Sequence, residues 1–146
     1  DFCLSRGLGD VYKRQGVTGI VQAGEKTAYD DALKSFQAGQ GKKADSDFTT
    51  FIRKYPSSPY LPLALYWSGN TKYVLKDYNA AITQLQSLIT RYPGHQRVPA
   101  AILTMANANL ESGKKAVAKK LLTDLITKYP DSDAAKEAKP ILASIK

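Results

Sequence analysis

The chain has 146 residues, 43% of them hydrophobic, which suits one compact domain or one short repeat array. Its single cysteine, Cys3, excludes an internal disulfide and a thiolate metal site, and no apolar run approaches the roughly 20 residues that span a bilayer. The net charge of +8 is carried mostly by lysine, and without an arginine cluster or interleaved aromatics it reads as wet helix faces (Lys42, Lys43, Lys114, Lys115, Lys119, Lys120), not as a nucleic-acid surface.

Residues 1–15, "DFCLSRGLGDVYKRQ", show no helical period and have no counterpart farther along. They resemble a translated leader that recurs in environmental-sequence assemblies, and a disordered linker is the alternative; either reading leaves them outside the functional domain. Residues 16–24, "GVTGIVQAG", read as a linker that is apolar enough to dock on the domain as a built-in plug. From residue 25 onward the composition turns helical.

Tyr55-Pro56, Tyr92-Pro93 and Tyr129-Pro130 follow one another at intervals of 37 residues. At the same offset Phe48, Leu85 and Leu122 coincide, as do Phe51, Leu88 and Leu125, then Ala44, Ala81 and Ala118, and Ala32, Gly69 and Ala106. A fixed period of this length marks a helical solenoid. Units of about 25–59, 60–96 and 97–133, with a cap at 134–146, each read as two helices. Apolar residues at 48, 51 and 52 recur at i, i+3, i+4, and the small residues let the paired helices approach. The segments "QAGQGK", "LKDY" and "ESGK" are the turns, with Asp77 as the N-cap of the middle unit's second helix. A proline after tyrosine ends each second helix, and Pro62 and Pro99 fall in the first turn of the next, where the missing N–H costs nothing. The expected fold is all-α, with three hairpins stacked because no single hairpin can bury its apolar face alone.

Small residue, alanine, large apolar residue and proline, as in Gly69-Ala81-Leu85-Pro93, is a pattern that resembles the tetratricopeptide repeat. That resemblance implies a right-handed superhelix of three helical hairpins plus a C-terminal capping helix. The longer stretches "FIRKYPSSPYLPLALYWSGN" and "LLTDLITKYPDSDAAKEAK" are similar to the C-terminal domain of the YbgF (CpoB) family, the periplasmic cell-division coordinators of the Tol-Pal system. The outer-membrane assembly lipoprotein BamD carries similar repeats and is the alternative. The YbgF resemblance covers about 25–146. It implies a non-enzymatic periplasmic adaptor that binds TolA and links outer-membrane constriction to septal peptidoglycan synthesis. It also implies trimerisation through a coiled coil that precedes the domain, so residues 25–146 by themselves are expected to be mostly monomeric. Two departures stand out: Ser68 replaces an apolar residue and is expected to loosen the middle hairpin, and Pro140 is expected to kink or shorten the last helix.

No catalytic constellation emerges. The sole histidine, His95, lies in the loop "YPGHQ"; a catalytic base would need an orienting partner and a nucleophile, so it reads as a solvated loop histidine, and no metal-ligand or phosphate-loop spacing is present. Asp30, Asp31, Asp45 and Asp47 read as helix-face charges. No cofactor, nucleic acid or membrane insertion is expected. In a tetratricopeptide array the first helices line a concave groove. Counting from each small residue, the groove positions are Tyr29, Leu33 and Phe36 in unit one, Tyr66, Asn70 and Tyr73 in unit two, and Leu103, Asn107 and Leu110 in unit three. Asparagine both donates and accepts, so Asn70 and Asn107 are expected to grip a partner backbone, while the alternative is packing between hairpins. Trp67 stands between core and rim.

Overall fold

A computed structural model describes residues 23–146. The leader at 1–15, Cys3 and the linker up to residue 22, with its proposed plug, lie outside the described residues. Seven helices follow, with no strand among the described residues: α1 (Glu25–Gln37), α2 (Gly41–Lys54), α3 (Leu61–Val74), α4 (Tyr78–Arg91), α5 (Val98–Glu111), α6 (Lys115–Lys128) and α7 (Asp133–Ser144). They form three hairpins and a closing helix, the all-α tetratricopeptide-type architecture.

The punctuation of the chain explains these boundaries. Tyr55, Tyr92 and Tyr129 leave the helical region as C-caps of α2, α4 and α6, immediately before their prolines. Pro62 and Pro99 stand in the first turns of α3 and α5. Inside each hairpin the turn needs one left-handed residue. Gly39 and Gly113 take it at φ 77° and 80°, whereas the middle unit places Lys76 there at φ 65°. The same closure recurs: the N–H groups of Gln40, Asp77 and Lys114 donate to the carbonyls of Ser35, Lys72 and Asn109 at 2.9, 2.9 and 2.8 Å. Asp77 caps α4 through Ala80 N–H, and Ser132 caps α7 through Ala135 N–H.

α3 and α5 are apolar around most of their circumference, which fits helices packed on several sides, while α2, α4 and α6 bury one stripe. Each helix packs on the next in sequence. Beyond that, α1 touches α3, α3 touches α5 and α5 touches α7, whereas α2, α4 and α6 do not touch one another. The first helices are therefore crowded on the inner, concave side and the second helices splay on the outer, convex side.

The expectation that Pro140 shortens the last helix is corrected. α7 runs through it to Ser144. Proline removes one N–H from the ladder, but Lys136, Glu137 and Pro140 are all exposed, so water can serve the freed carbonyl. Ser68 is fully buried, yet its hydroxyl accepts from Gln84 Nε2 at 3.3 Å across the hairpin, so it is a paired core group and not a loosened contact. Gly69 sits beside it. A Cβ there would lie 2.4 Å from Leu85 Cγ, so only glycine lets α3 and α4 meet at this distance.

Candidate functional site

The concave side is the candidate interaction surface, and its nine expected residues separate into two layers. Tyr29, Tyr66 and Leu103 occupy one repeat position and are 2%, 9% and 9% exposed. Tyr29 is corrected from groove to core. Its ring stacks on Tyr60 at 4.8 Å and meets Phe48 and Phe51 edge-on, which leaves it no surface to offer. Burial pushes its hydroxyl up to about 12; the Trp67 side-chain hydrogen bond and the Arg97 charge pull in the opposite direction, and Asp30 adds to the rise. Tyr66 and Leu103 likewise serve the joints between units, in the second and third core clusters. Counting from the small residue marks the inner helices correctly but cannot separate the joint from the groove floor, because both lie on one face.

The other six, Leu33, Phe36, Asn70, Tyr73, Asn107 and Leu110, are half-buried on α1, α3 and α5. Asn70 is already engaged. Its Nδ2 donates to the Tyr66 carbonyl at 2.8 Å, and its Oδ1 accepts from Thr104 Oγ1 at 3.0 Å, which ties α3 to α5. Each group retains one further hydrogen-bonding site. Asn107 occupies the equivalent place on α5. Phe36 packs against Trp67 at 5.2 Å, and Tyr73 against Tyr78 at 5.7 Å. The Tyr73 hydroxyl is raised by burial first, then by Glu111 and Tyr78. Trp67 is half-buried and touches both the first and second core clusters, so it is seam and rim together. Near the turn end of this face a mainly apolar cleft of about 100 Å³ is lined by Phe36, Gly39, Gly41, Thr71 and Val74. Val74 is 61% exposed.

No group of three or more metal-ligating side chains occurs among the described residues. His95 is half-buried, and its Nδ1 accepts from the Arg97 N–H at 3.1 Å, so it helps start α5 instead of standing in solvent as a loop histidine. Asp30 and Asp47 pair with Lys26 and Lys43 one turn away on their own helices, and Asp45 pairs with Lys72 across helices at 2.7 Å. No described helix is long and apolar enough to cross a membrane. One polar joint escaped the sequence reading. Glu25 is 2% exposed and accepts from Ser58 Oγ at 3.0 Å, and that same Oγ accepts from Tyr60 N–H. The joint ties the start of α1 to the linker between units, 33 residues away, and no periodic signal announces it.

Comparison with known proteins follows the same lines. The type III secretion translocator chaperone SycD of Yersinia enterocolitica superposes with a TM-score of 0.72 at 18% identity, covering 88% of this chain and 96% of its own. SycD in complex with a peptide of the translocator YopD gives 0.71 at 17% identity, covering 88% and 93%. The first tetratricopeptide domain of Spaghetti (RPAP3), bound to the HSP90 peptide SRMEEVD, gives 0.65 at 18%, covering 86% and 100%. At these identities the likeness is one of fold. No curated protein matches the sequence. The sequence model of YfiO, described as an outer membrane lipoprotein, matches residues 61–144, from the first residue of α3 to the last of α7. With more than half of its length matched, this chain belongs to the YfiO outer membrane lipoprotein family.

Proposed function

We propose that the chain is a non-enzymatic adaptor of the bacterial periplasm that holds a TolA-like partner on its concave side. In this reading it works within the Tol-Pal system and coordinates outer-membrane constriction with the septal peptidoglycan synthase machinery. The observation that carries a docking role is the row of half-buried apolar, aromatic and amide side chains on α1, α3 and α5. Such a row offers both contact area and backbone hydrogen bonding to a protein segment. Two proteins of the same fold are described as bound to peptides. The Tol-Pal assignment draws on the similarity of 25–146 to the YbgF family. A second reading, a scaffold in outer-membrane protein assembly of the BamD type, is favoured by the match to the YfiO family.

The test is titration of the chain with a purified periplasmic TolA fragment, followed by calorimetry and by the fluorescence of Trp67, the only tryptophan. Tyr73→Ala/Asn107→Ala is the matched control, with its fold checked by circular dichroism. Saturable binding that the double variant weakens supports the adaptor and its concave site. Saturable binding that ignores the variant keeps the adaptor and removes the site. Capture of a β-barrel assembly component, with no binding to the TolA fragment, selects the second reading.

A further inference from the structure

The turns inside the three hairpins lie on one edge of the solenoid, and the middle turn departs from its sisters at three successive positions. The first has Gln37-Ala38-Gly39 and the third Glu111-Ser112-Gly113, but the middle one has Val74-Leu75-Lys76. Polar and small residues give way to two exposed hydrophobics, Val74 at 61% and Leu75 at 37%. Glycine gives way to a lysine held at φ 65°, a left-handed strain that the sister turns avoid. Closing the hairpin does not require this, because the first turn makes the same closing bond with glycine, at 2.9 Å in both. A local rule broken without structural gain marks a functional position.

The surroundings of this tip point to its ligand. Three large hydrophobics are exposed among the described residues, and the third, Val117 at 48%, stands in the first turn of α6, on the same edge. Around them are five exposed lysines, Lys34, Lys42, Lys76, Lys114 and Lys115, none of which enters an ion pair among the described residues. Two acidic residues, Asp77 and Glu111, fall in these turns and the helical turns that flank them, and Asp77 is spent on capping α4. The opposite edge, where the linkers between units run, is basic as well through Arg53, Lys54, Arg91 and Lys128, but none of the exposed large hydrophobics lies there. Charge alone therefore does not choose an edge; the apolar tip does. A projecting tip beside a cleft of about 100 Å³ gives a protein segment little to grip. Lysines are flexible point charges, not forks set for one carboxylate. Both features suit a bilayer surface, which receives apolar side chains at headgroup depth and attracts each lysine by its diffuse negative charge. We propose that the turn edge of the solenoid rests on an anionic phospholipid surface, with Val74 and Leu75 dipping between the headgroups and the lysines lying on the phosphates. This is a contact of the folded domain itself, separate from the lipid that gives the family its description. Val74, Leu75 and the lysines are not part of the concave row, so the inference stands whichever partner that row takes.

The experiment is co-sedimentation of the full chain with vesicles of equal parts phosphatidylglycerol and phosphatidylcholine, against vesicles of phosphatidylcholine alone, at rising salt. Binding should require phosphatidylglycerol and weaken as salt rises. Val74→Gln/Leu75→Ser, which takes its residues from the sister turns, should lower the affinity about tenfold. Lys76→Gly should lower it about fivefold while raising the midpoint of urea unfolding, so that loss of fold cannot mimic its effect. Arg53→Gln/Lys54→Gln removes two charges at the opposite edge and should leave binding nearly unchanged. Equal binding to both vesicles, binding to neither, or a loss that follows the number of cations removed wherever they lie overturns the proposal. An amidated peptide alternating glutamate with leucine covers the remaining occupant. If that peptide binds, loses affinity with Val74→Gln/Leu75→Ser, and the vesicles do not bind, the edge is a protein site and the lipid contact is overturned.

Discussion

The first and third hairpins share one backbone plan and fill it with different chemistry. In the first, Tyr29, Phe48, Phe51 and Tyr60 form an aromatic core. In the third, Leu103, Leu122 and Leu125 are joined by three alanines of α7. The aromatic core reaches shape complementarity by ring orientation, edge-on at 6.2 and 6.5 Å and stacked at 4.8 Å. The aliphatic core reaches it by closeness, because alanine lets α7 lie near α5 and α6. The repeat therefore specifies where bulk and smallness alternate, not which side chain supplies the bulk.

The largest break in this comparison should come from Phe48→Ala and Leu122→Ala, equivalent positions that are both fully buried. We expect losses of about 4 and about 3 kcal/mol respectively in urea unfolding, the aromatic site losing more contact area. Equal losses would show that the cores differ in composition only.

Alkaline pH should separate the two hairpins next. The Tyr29 hydroxyl is held at about 12, against an ordinary value of 10.0. The folded chain therefore keeps this proton where the unfolded chain releases it. The stabilisation is complete below pH 10 and is lost as the pH rises from 10 toward 12, by about 2–3 kcal/mol. Tyr29→Phe should flatten that fall in urea melts at rising pH, and Leu103→Ala should not.

The middle hairpin sharpens the comparison. Where its neighbours have Ala32 and Ala106, it has Gly69 against Leu85. Gly69→Ala should cost about 2 kcal/mol by overpacking, and adding Leu85→Ala should make the glycine substitution less costly than it is alone. Additive effects in that cycle would mean the helices simply shift apart. The smallest effect should be a gain. Lys76→Gly, which restores the residue found at Gly39 and Gly113, should stabilise by about 1 kcal/mol by relieving left-handed backbone strain. A differential melt of the single variant would show it.

Much of the fold was legible because its signals are local. A proline acts on its own residue and the one before it, and a left-handed turn position asks for glycine wherever it falls. The period of 37 repeats the Tyr-Pro pair three times and the turn glycine at 39 and 113, with Lys76 between them. The candidate site was legible only as far as the inner helices. Tyr29 looked like a groove residue because its helical face is right, but Tyr60 arrives from the next unit and covers it. Asn70 looked like a free clamp because Thr104 is 34 residues away. Arg97 gave no signal as an isolated loop arginine, although its register with Tyr60 was already present in the repeat.

By itself, then, the sequence determined the number of hairpins, where each hairpin's second helix stops and which helices are first in their pair. These follow from steric and hydrogen-bonding limits that act within a few residues. The tertiary structure alone decided which inner-face side chains are sealed and which remain available. It also decided that Ser68 is paired by Gln84, that Glu25 is anchored by Ser58, and that one arginine rests on two aromatic rings. The physical reason is that exposure and pairing belong to the space between units, and a unit's own sequence does not contain its neighbour's atoms.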